Sequence, residues 1–140
     1  MQIAKRYVDE MVAHALEDDP DECCGILAGA DGKVVKLYRI TNTAHSPYLY
    51  NMDPLEQNKV TLGIDDEGWD LLAFYHSHTH SAAYPSSTDV RMASWEDGTS
   101  IWPGTNYILV SLEDHDNPDV KAFRITDGSV TEEELRVIPE

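Results

Sequence analysis

The chain has 140 residues, a length that suits one domain with a substantial core and is too short for two ordinary domains. Hydrophobic residues make up 41% of it and include three Trp, as in a globular protein. Acidic residues outnumber basic ones 26 to 10, for a formal net charge of -16. Because phosphate binding requires clustered basic side chains, this balance argues against a nucleic-acid partner. No apolar stretch approaches the ~20 residues of a membrane span, and the N-terminus does not resemble a signal peptide. We therefore expect a soluble, cytoplasmic protein without a membrane partner.

The acidic residues are spread along the chain rather than gathered in a disordered tail. Mutual repulsion at this charge destabilises a fold in dilute salt and is screened in concentrated salt. We therefore hypothesise a host with a salty cytoplasm, the alternative being an ordinary acidic protein. The expected result is a urea unfolding midpoint that rises between dilute and molar salt. A midpoint that stays constant or falls would reject the hypothesis.

The only two cysteines are neighbours, Cys23 and Cys24. Adjacent cysteines form neither a disulfide framework nor the paired spacing of a structural zinc site. We expect them to be small buried strand residues in a reducing compartment, with Cys24 packed in the core. A nucleophilic role would need a histidine paired in space, for which the sequence gives no support.

The first half of the chain predicts a helix followed by two strands. Apolar residues recur at helical spacing over residues 3–16, and Asp18-Asp19-Pro20 ends that helix. Residues 24–29 and 33–41 read as strands, joined by a hairpin turn at Ala30-Asp31-Gly32.

The remaining elements alternate between strands and helices. Predicted strands are residues 48–50, 69–78 and 106–112, and a final hairpin of residues 120–126 and 129–137 around Asp127-Gly128. Predicted helices are residues 53–62, opened by Asp53-Pro54, and residues 86–95, with a polar loop over residues 79–85 before the second. Strands interleaved with three helices favour a layered α/β fold with a mixed sheet flanked by helices, as a single domain over residues 1–140.

The most informative segment holds candidate metal ligands. His76 and His78 lie two apart at the end of a predicted strand, so their side chains leave the same face, with Cα atoms roughly 6.5 Å apart. Asp89 lies in the first turn of the next predicted helix. Two imidazoles and one carboxylate leave a zinc position open for water, as in catalytic sites. Zinc lowers the pKa of such a water to near 7.

Two further residues suit amide hydrolysis. Glu22, just before the strand of residues 24–29, is a candidate general base that moves a proton from the water to the leaving amine. Ser86 is a candidate donor to the oxyanion that develops on the attacked carbonyl. Ser86-x-x-Asp89 is also a plain helix-capping pattern, which explains the helix start but not the upstream histidines.

The pattern His76-x-His78-x7-Ser86-x-x-Asp89, with Glu22 upstream, resembles the JAMM (MPN+, Mov34/PAD-1) zinc metallopeptidase family over nearly the whole chain. The resemblance implies a JAB1/MPN, cytidine-deaminase-like fold. It also implies Zn²⁺ on the two histidines and Asp89, with Glu22 as general acid/base and Ser86 as the oxyanion-stabilising serine. Non-catalytic members lack some of these residues, so we expect an active hydrolase.

Segments outside the metal pattern resemble the bacterial peptidases of sulfur-carrier-dependent cysteine synthesis. These segments are residues 20–29, Ser46-Pro47 and residues 75–86. The resemblance implies hydrolysis of the amide between the C-terminal Gly-Gly of a ubiquitin-like sulfur-carrier protein and cysteine. An isopeptidase that removes ubiquitin-like modifiers from lysine, and a metal-stabilised module that binds carriers without cleaving them, remain alternatives. A zinc nucleoside deaminase would need a Cys-x-x-Cys pair, which is absent.

The other histidines and an aromatic run lie outside the motif. We expect His80 to be an exposed loop residue near the mouth of the site rather than a fourth ligand. His14, His45 and His115 are expected at the surface. Residues 48–50, Tyr-Leu-Tyr, are candidates for lining a groove that accepts an extended tail, although strand aromatics are more often core.

Overall fold

The structure is a computed structural model in which residues 1–139 are described. Within them a mixed eight-stranded sheet is flanked by three helices, with strand order β7-β6-β5-β4-β2-β3-β1-β8. The elements in chain order are β1 (Gln2–Ala4), α1 (Lys5–Asp18), β2 (Cys24–Ala30), β3 (Lys33–Ile40), α2 (Pro54–Asp66), β4 (Asp70–His78), α3 (Ser87–Met92), β5 (Asn106–Ser111), β6 (Asp119–Thr126), β7 (Ser129–Glu133) and β8 (Arg136–Ile138). The predicted mixed sheet flanked by helices is confirmed.

The sheet is strongly curled. Strand β4 pairs parallel with β5, and β1 pairs parallel with both β3 and β8, whereas the other pairings are antiparallel. Strands β7 and β8 lie at opposite ends of the strand order, yet only Glu134 and Leu135 separate them. So short a link spans about 11 Å at most, so the two ends of the sheet must approach each other.

The two faces of the sheet bury different cores because successive strand residues point to opposite sides. Leu27, Tyr75 and Ile108 pack in a cluster with residues of α1. Ile26 and Phe74 pack in a second cluster with residues of α2 and α3. His76 and His78 continue the alternation of Phe74, so they emerge on the face covered by α2 and α3.

The strand predicted over residues 48–50 is wrong. Backbone pairing in this region is limited to an isolated bridge between Asn42 and Met52. The side-chain amide of Asn42 bonds the Ala44 and Asn51 N–H groups and the Leu49 carbonyl. These backbone groups therefore form their hydrogen bonds with a side chain inside a loop rather than with a neighbouring strand.

Three predicted boundaries are also corrected. The first helix begins at Lys5 rather than Ile3, because Ile3 lies in β1 and pairs with Val137 of β8. That pairing also divides the predicted strand of residues 129–137 into β7 and β8. Helix α3 ends at Met92 rather than Trp95, because the Trp95 N–H bonds the Thr99 carbonyl in a turn.

Gly25 allows a close approach between β2, β3 and the Tyr75 ring. A Cβ at this position would overlap that ring and the backbone carbonyl of Tyr38. Gly25→Ala is therefore expected to destabilise the protein by about 1–3 kcal/mol or more, measured by urea unfolding. Gly63→Ala in α2 is the control, because a Cβ there meets nothing within 4 Å. It should stabilise by about 0.5–1 kcal/mol, and equal effects of the two changes would contradict this packing.

None of the helices among the described residues combines the length and the apolar character needed to cross a membrane.

Candidate metal centre

His76 and His78 occupy the C-terminal end of β4, a central strand between β2 and β5. Their side chains share one face, and both residues are almost fully buried, with exposures of 1% and 4%. Histidines carried by a central strand have little freedom to move. The spacing of two residues thus delivers two imidazoles side by side, as the sequence predicts.

Asp89 reaches the same point from the start of α3. Ser86 is the N-cap of that helix, and its hydroxyl accepts a hydrogen bond from the Asp89 N–H at 3.1 Å. The Asp89 Oδ2 accepts in return from the Ser86 N–H at 2.9 Å, which completes a capping box. The predicted capping pattern is therefore present, and it fixes the orientation of the Asp89 carboxylate.

The donor atoms of the three residues converge on one point. Asp89 Oδ2 lies 2.9 Å from His78 Nε2 and 3.2 Å from His76 Nε2, and all three ligand atoms lie within 4.8 Å of one another. A tetrahedral zinc with bonds of 2.0–2.2 Å holds its ligand atoms roughly 3.3 Å apart. The donor set and its spacing therefore fit a metal ion.

The protonation of the cluster also suits a metal. The His78 Nδ1 lies 2.9 Å from the Ala82 carbonyl and donates to it, so Nε2, which faces Asp89, is the ring atom that would bind a metal. Burial by itself raises the pKa of Asp89, but the nearby imidazoles of His76 and His78 and the Ser86 N–H hold it well below its usual range. Asp89 is consequently an anion, the form that binds metals.

His76 has no hydrogen-bond partner for either ring nitrogen among residues 1–139, although both atoms are buried. Buried polar atoms of this kind are rare and indicate an ion or a water. The ring of Tyr50 stacks on the His76 ring, with centroids 4.4 Å apart and an interplanar angle of 28°. The sequence predicts Tyr50 in a strand that could line a groove, and it does not predict this stacking, because no local pattern joins Tyr50 to His76.

Glu22 lies beside the cluster, two residues before the start of β2. Cys24 pairs with His76, and the Ser77 N–H bonds the Cys23 carbonyl, so the antiparallel register carries Glu22 towards His78. The residue is 3% exposed, and its Oε1 has no hydrogen-bond partner in the described part of the chain. Burial raises the pKa of Glu22 to about 8, with His78 opposing and Asp89 adding to the shift.

The raised pKa of Glu22 predicts that the metal-free protein loses folding stability as the pH rises. The folded state binds a proton more tightly than the unfolded state, so Glu22 reduces stability as pH rises from about 4.5 to about 8. Each pKa unit corresponds to about 1.4 kcal/mol. We expect metal-free Glu22→Gln to match the parent protein in unfolding free energy near pH 4, below the unfolded-state pKa of Glu22. At pH 9 it should exceed the parent by a few kcal/mol, and an equal difference at both pH values would contradict the burial.

The structure also tests the expectations for the remaining residues. His80 is exposed and lies outside the ligand cluster, and Cys24 is buried as predicted. The surface placement of His14 is wrong, because its Nδ1 lies 2.7 Å from the Tyr75 hydroxyl in the core beneath α1. His45 and His115 are exposed, as expected.

A curled mixed sheet with buried His, His and Asp side chains at the end of a central strand defines a JAB1/MPN-type metal centre. The solved structure of AF2198, a JAB1/MPN domain protein from Archaeoglobus fulgidus, shares this fold. Its TM-score is 0.63 at 19% identity, over 99% of both chains. Protein DSY2949 from Desulfitobacterium hafniense aligns with a TM-score of 0.85 at 34% identity, over 100% of this chain and 94% of that one.

The chain belongs to the prokaryotic homologs of the JAB domain, whose family model matches residues 4–126. It is 41% identical to the CysO-cysteine peptidase of Mycobacterium tuberculosis, over 94% of this chain and 86% of that protein. It is 37% identical to the desampylase of Haloferax volcanii, over 79% and 80% of the two chains. The predicted JAMM membership is thereby confirmed, and the chain is a hydrolase of that family.

Proposed function

We propose that this chain is a zinc-dependent peptidase that hydrolyses the amide between the C-terminal glycine of a ubiquitin-like sulfur-carrier protein and cysteine, in cysteine biosynthesis. The observation that carries the proposal is the buried Glu22 carboxylate beside the three-ligand cluster of His76, His78 and Asp89. A purely structural metal site has no use for an additional buried carboxyl group beside its ligands.

The residues divide the chemistry among them. A zinc ion held by His76, His78 and Asp89 would supply a Lewis acid that lowers the pKa of water to near 7. Glu22 has a pKa of about 8 in the metal-free protein, and a bound zinc ion would lower that pKa by favouring the carboxylate. In its ionised form Glu22 accepts the proton of the attacking water and returns it to the leaving amine. The Ser86 hydroxyl accepts from the Asp89 N–H, so its own proton remains free for the oxyanion that develops on the attacked carbonyl.

The substrate assignment is supported by the CysO-cysteine peptidase, which matches 94% of this chain. The segments around Glu22, Ser46-Pro47 and His76 carry the same resemblance. The burial of His76, His78 and Asp89 also suits a Gly-Gly tail, because glycine brings no side chain that would have to be accommodated beside them.

Removal of ubiquitin-like modifiers from lysine is the second candidate. The 37% identity to the Haloferax volcanii desampylase favours it. The two substrates share the acyl side of the bond and differ in the amine that leaves. The same zinc site therefore serves both, and the leaving group must be distinguished by experiment.

The experiment offers the zinc-loaded protein two conjugates of one ubiquitin-like sulfur-carrier protein, one with cysteine and one with a lysine-containing peptide. We expect the cysteine adduct to be cleaved with at least a tenfold higher kcat/KM, measured by mass spectrometry of the released carrier. A preference for the lysine conjugate would favour the isopeptidase. Metal binding with no cleavage of either would favour the non-catalytic carrier-binding module.

We also propose a cytoplasmic location. Both cysteines are free and buried, which fits a reducing compartment. Burial raises the pKa of the Cys23 thiol to about 12, so it is not a nucleophile at neutral pH. Fractionation of the native host, with the protein in the soluble cell contents, is the expected result.

A further inference from the structure

We propose that Asn42 is a positioning residue for the reaction, fastening a loop that holds both Glu22 and His76 in place. The loop comprises residues 42–52 and is called the clasp loop below. It connects β3 to α2 and contains none of the metal ligands. The proposal rests on the proposed function, since it assigns a role in the chemistry of that site.

The side-chain amide of Asn42 forms four hydrogen bonds with backbone groups. The residue is 6% exposed, and its Nδ2 donates to the carbonyls of Glu22 and Leu49 at 3.0 and 3.2 Å. Its Oδ1 accepts from the N–H groups of Ala44 and Asn51 at 3.0 and 2.9 Å. Both donors and both acceptor positions of the amide are thus engaged. One side chain closes the loop and ties it to the segment that carries the catalytic carboxylate.

The clasp loop holds both backbone polar groups of Glu22. The Glu22 N–H donates to the Ser46 carbonyl at 2.9 Å, and the Glu22 carbonyl accepts from Asn42. The Oε1 of Glu22, by contrast, has no partner within residues 1–139. The position of the carboxylate therefore depends on its backbone, which the clasp loop fixes.

The other side of the clasp loop reaches the metal ligands on β4. Tyr50 stacks on the His76 ring, which has no hydrogen bond of its own in the described residues. The Thr79 hydroxyl, just beyond β4, donates to the Pro47 carbonyl at 3.3 Å. Loss of the Asn42 hydrogen bonds should consequently displace both the base, Glu22, and one metal ligand, His76. A misplacement of about 1 Å in such a site costs on the order of 10²-fold in rate.

The test compares Asn42→Asp with a matched change elsewhere. Asn42→Asp removes the two N–H donors and keeps the acceptor. Asn106→Asp is the control, because Asn106 is also buried, donates to the Leu72 carbonyl and accepts from Arg124 away from the site. We expect Asn42→Asp to lower kcat by about 10–100-fold with KM changed less than about threefold. Asn106→Asp should keep kcat within about twofold.

Two readouts do not depend on cleavage. We expect Asn42→Asp and Tyr50→Ala to weaken zinc binding by about tenfold in a chelator competition, with Tyr50→Phe restoring the parent affinity because it keeps the ring. In the metal-free parent protein, the amides of Glu22, Ala44 and Asn51 should exchange hydrogen with one common opening free energy. This second measurement needs no variant, so it decides the case even where Asn42→Asp fails to fold.

The proposal is overturned by an Asn42→Asp protein with unchanged kcat and zinc affinity, or by equal loss in Asn106→Asp. Separate opening free energies for Glu22 and Asn51 would also overturn it. If the parent protein does not cleave the carrier–cysteine adduct, the proposed substrate is wrong. The zinc affinities and exchange rates still test the clasp loop in that case, so the two failures are distinguishable.

Discussion

Glu22→Gln is expected to lower kcat for amide cleavage by about 10²–10⁴-fold while the protein still binds one zinc. Gln has nearly the shape of Glu but neither accepts nor returns the proton in transit between water and leaving amine. Because Glu22 is not among the three residues proposed to hold the metal, zinc content should not fall. Cleavage rates and metal content are measured on the same zinc-loaded preparation.

Asp21→Asn is the control for this change, because it makes the same carboxyl-to-amide substitution at the neighbouring residue, which is only half-buried. Its kcat should stay within about threefold of the parent. A Glu22→Gln protein that keeps more than about a tenth of the parent rate would contradict the assignment of the base.

Asp89→Asn is expected to weaken zinc binding by at least about 10²-fold and to remove activity at stoichiometric zinc. Supporting contacts to a ligand are themselves worth 10–100-fold, so the loss of an anionic ligand should cost more. The change also removes the carboxylate that pairs with His76 and His78. Zinc affinity is measured by competition with a chromogenic chelator.

Asp53→Asn separates metal binding from helix capping. Asp53 caps α2 by accepting from the N–H groups of Leu55 and Glu56, as Asp89 accepts from that of Ser86 in α3. Asp53→Asn should therefore leave zinc affinity unchanged. Equal affinity of the Asp89→Asn protein and the parent would show that Asp89 is not a ligand.

Local patterns in the sequence predicted most of the site's geometry. The alternation of a strand sets His76 and His78 on one face, and the capping preference of Ser86-x-x-Asp89 fixes the start of α3. Both features operate over a few residues, so the sequence carries them directly. The convergence of His76, His78 and Asp89 additionally requires that the loop after β4 bring the start of α3 back to the end of that strand.

Features that depend on distant contacts were not predictable in the same way. His14 reads as a surface residue of an amphipathic helix, yet the Tyr75 hydroxyl across the core holds it buried. Residues 48–50 have the sequence pattern of a strand. They form a loop instead, because the Asn42 side chain hydrogen-bonds the Leu49 carbonyl and the Asn51 N–H. The division of β7 from β8 depends on β1, more than a hundred residues away.

Zinc reconstitution of the metal-free protein tests the central claim most directly. The account predicts that the metal-free parent does not cleave the carrier–cysteine amide and that activity rises in proportion to zinc until one equivalent is bound. The Glu22→Gln protein should take up the same single zinc without gaining activity. Full cleavage in the absence of metal, or equal recovery by the Glu22→Gln protein, would contradict a zinc peptidase that uses Glu22 as its base.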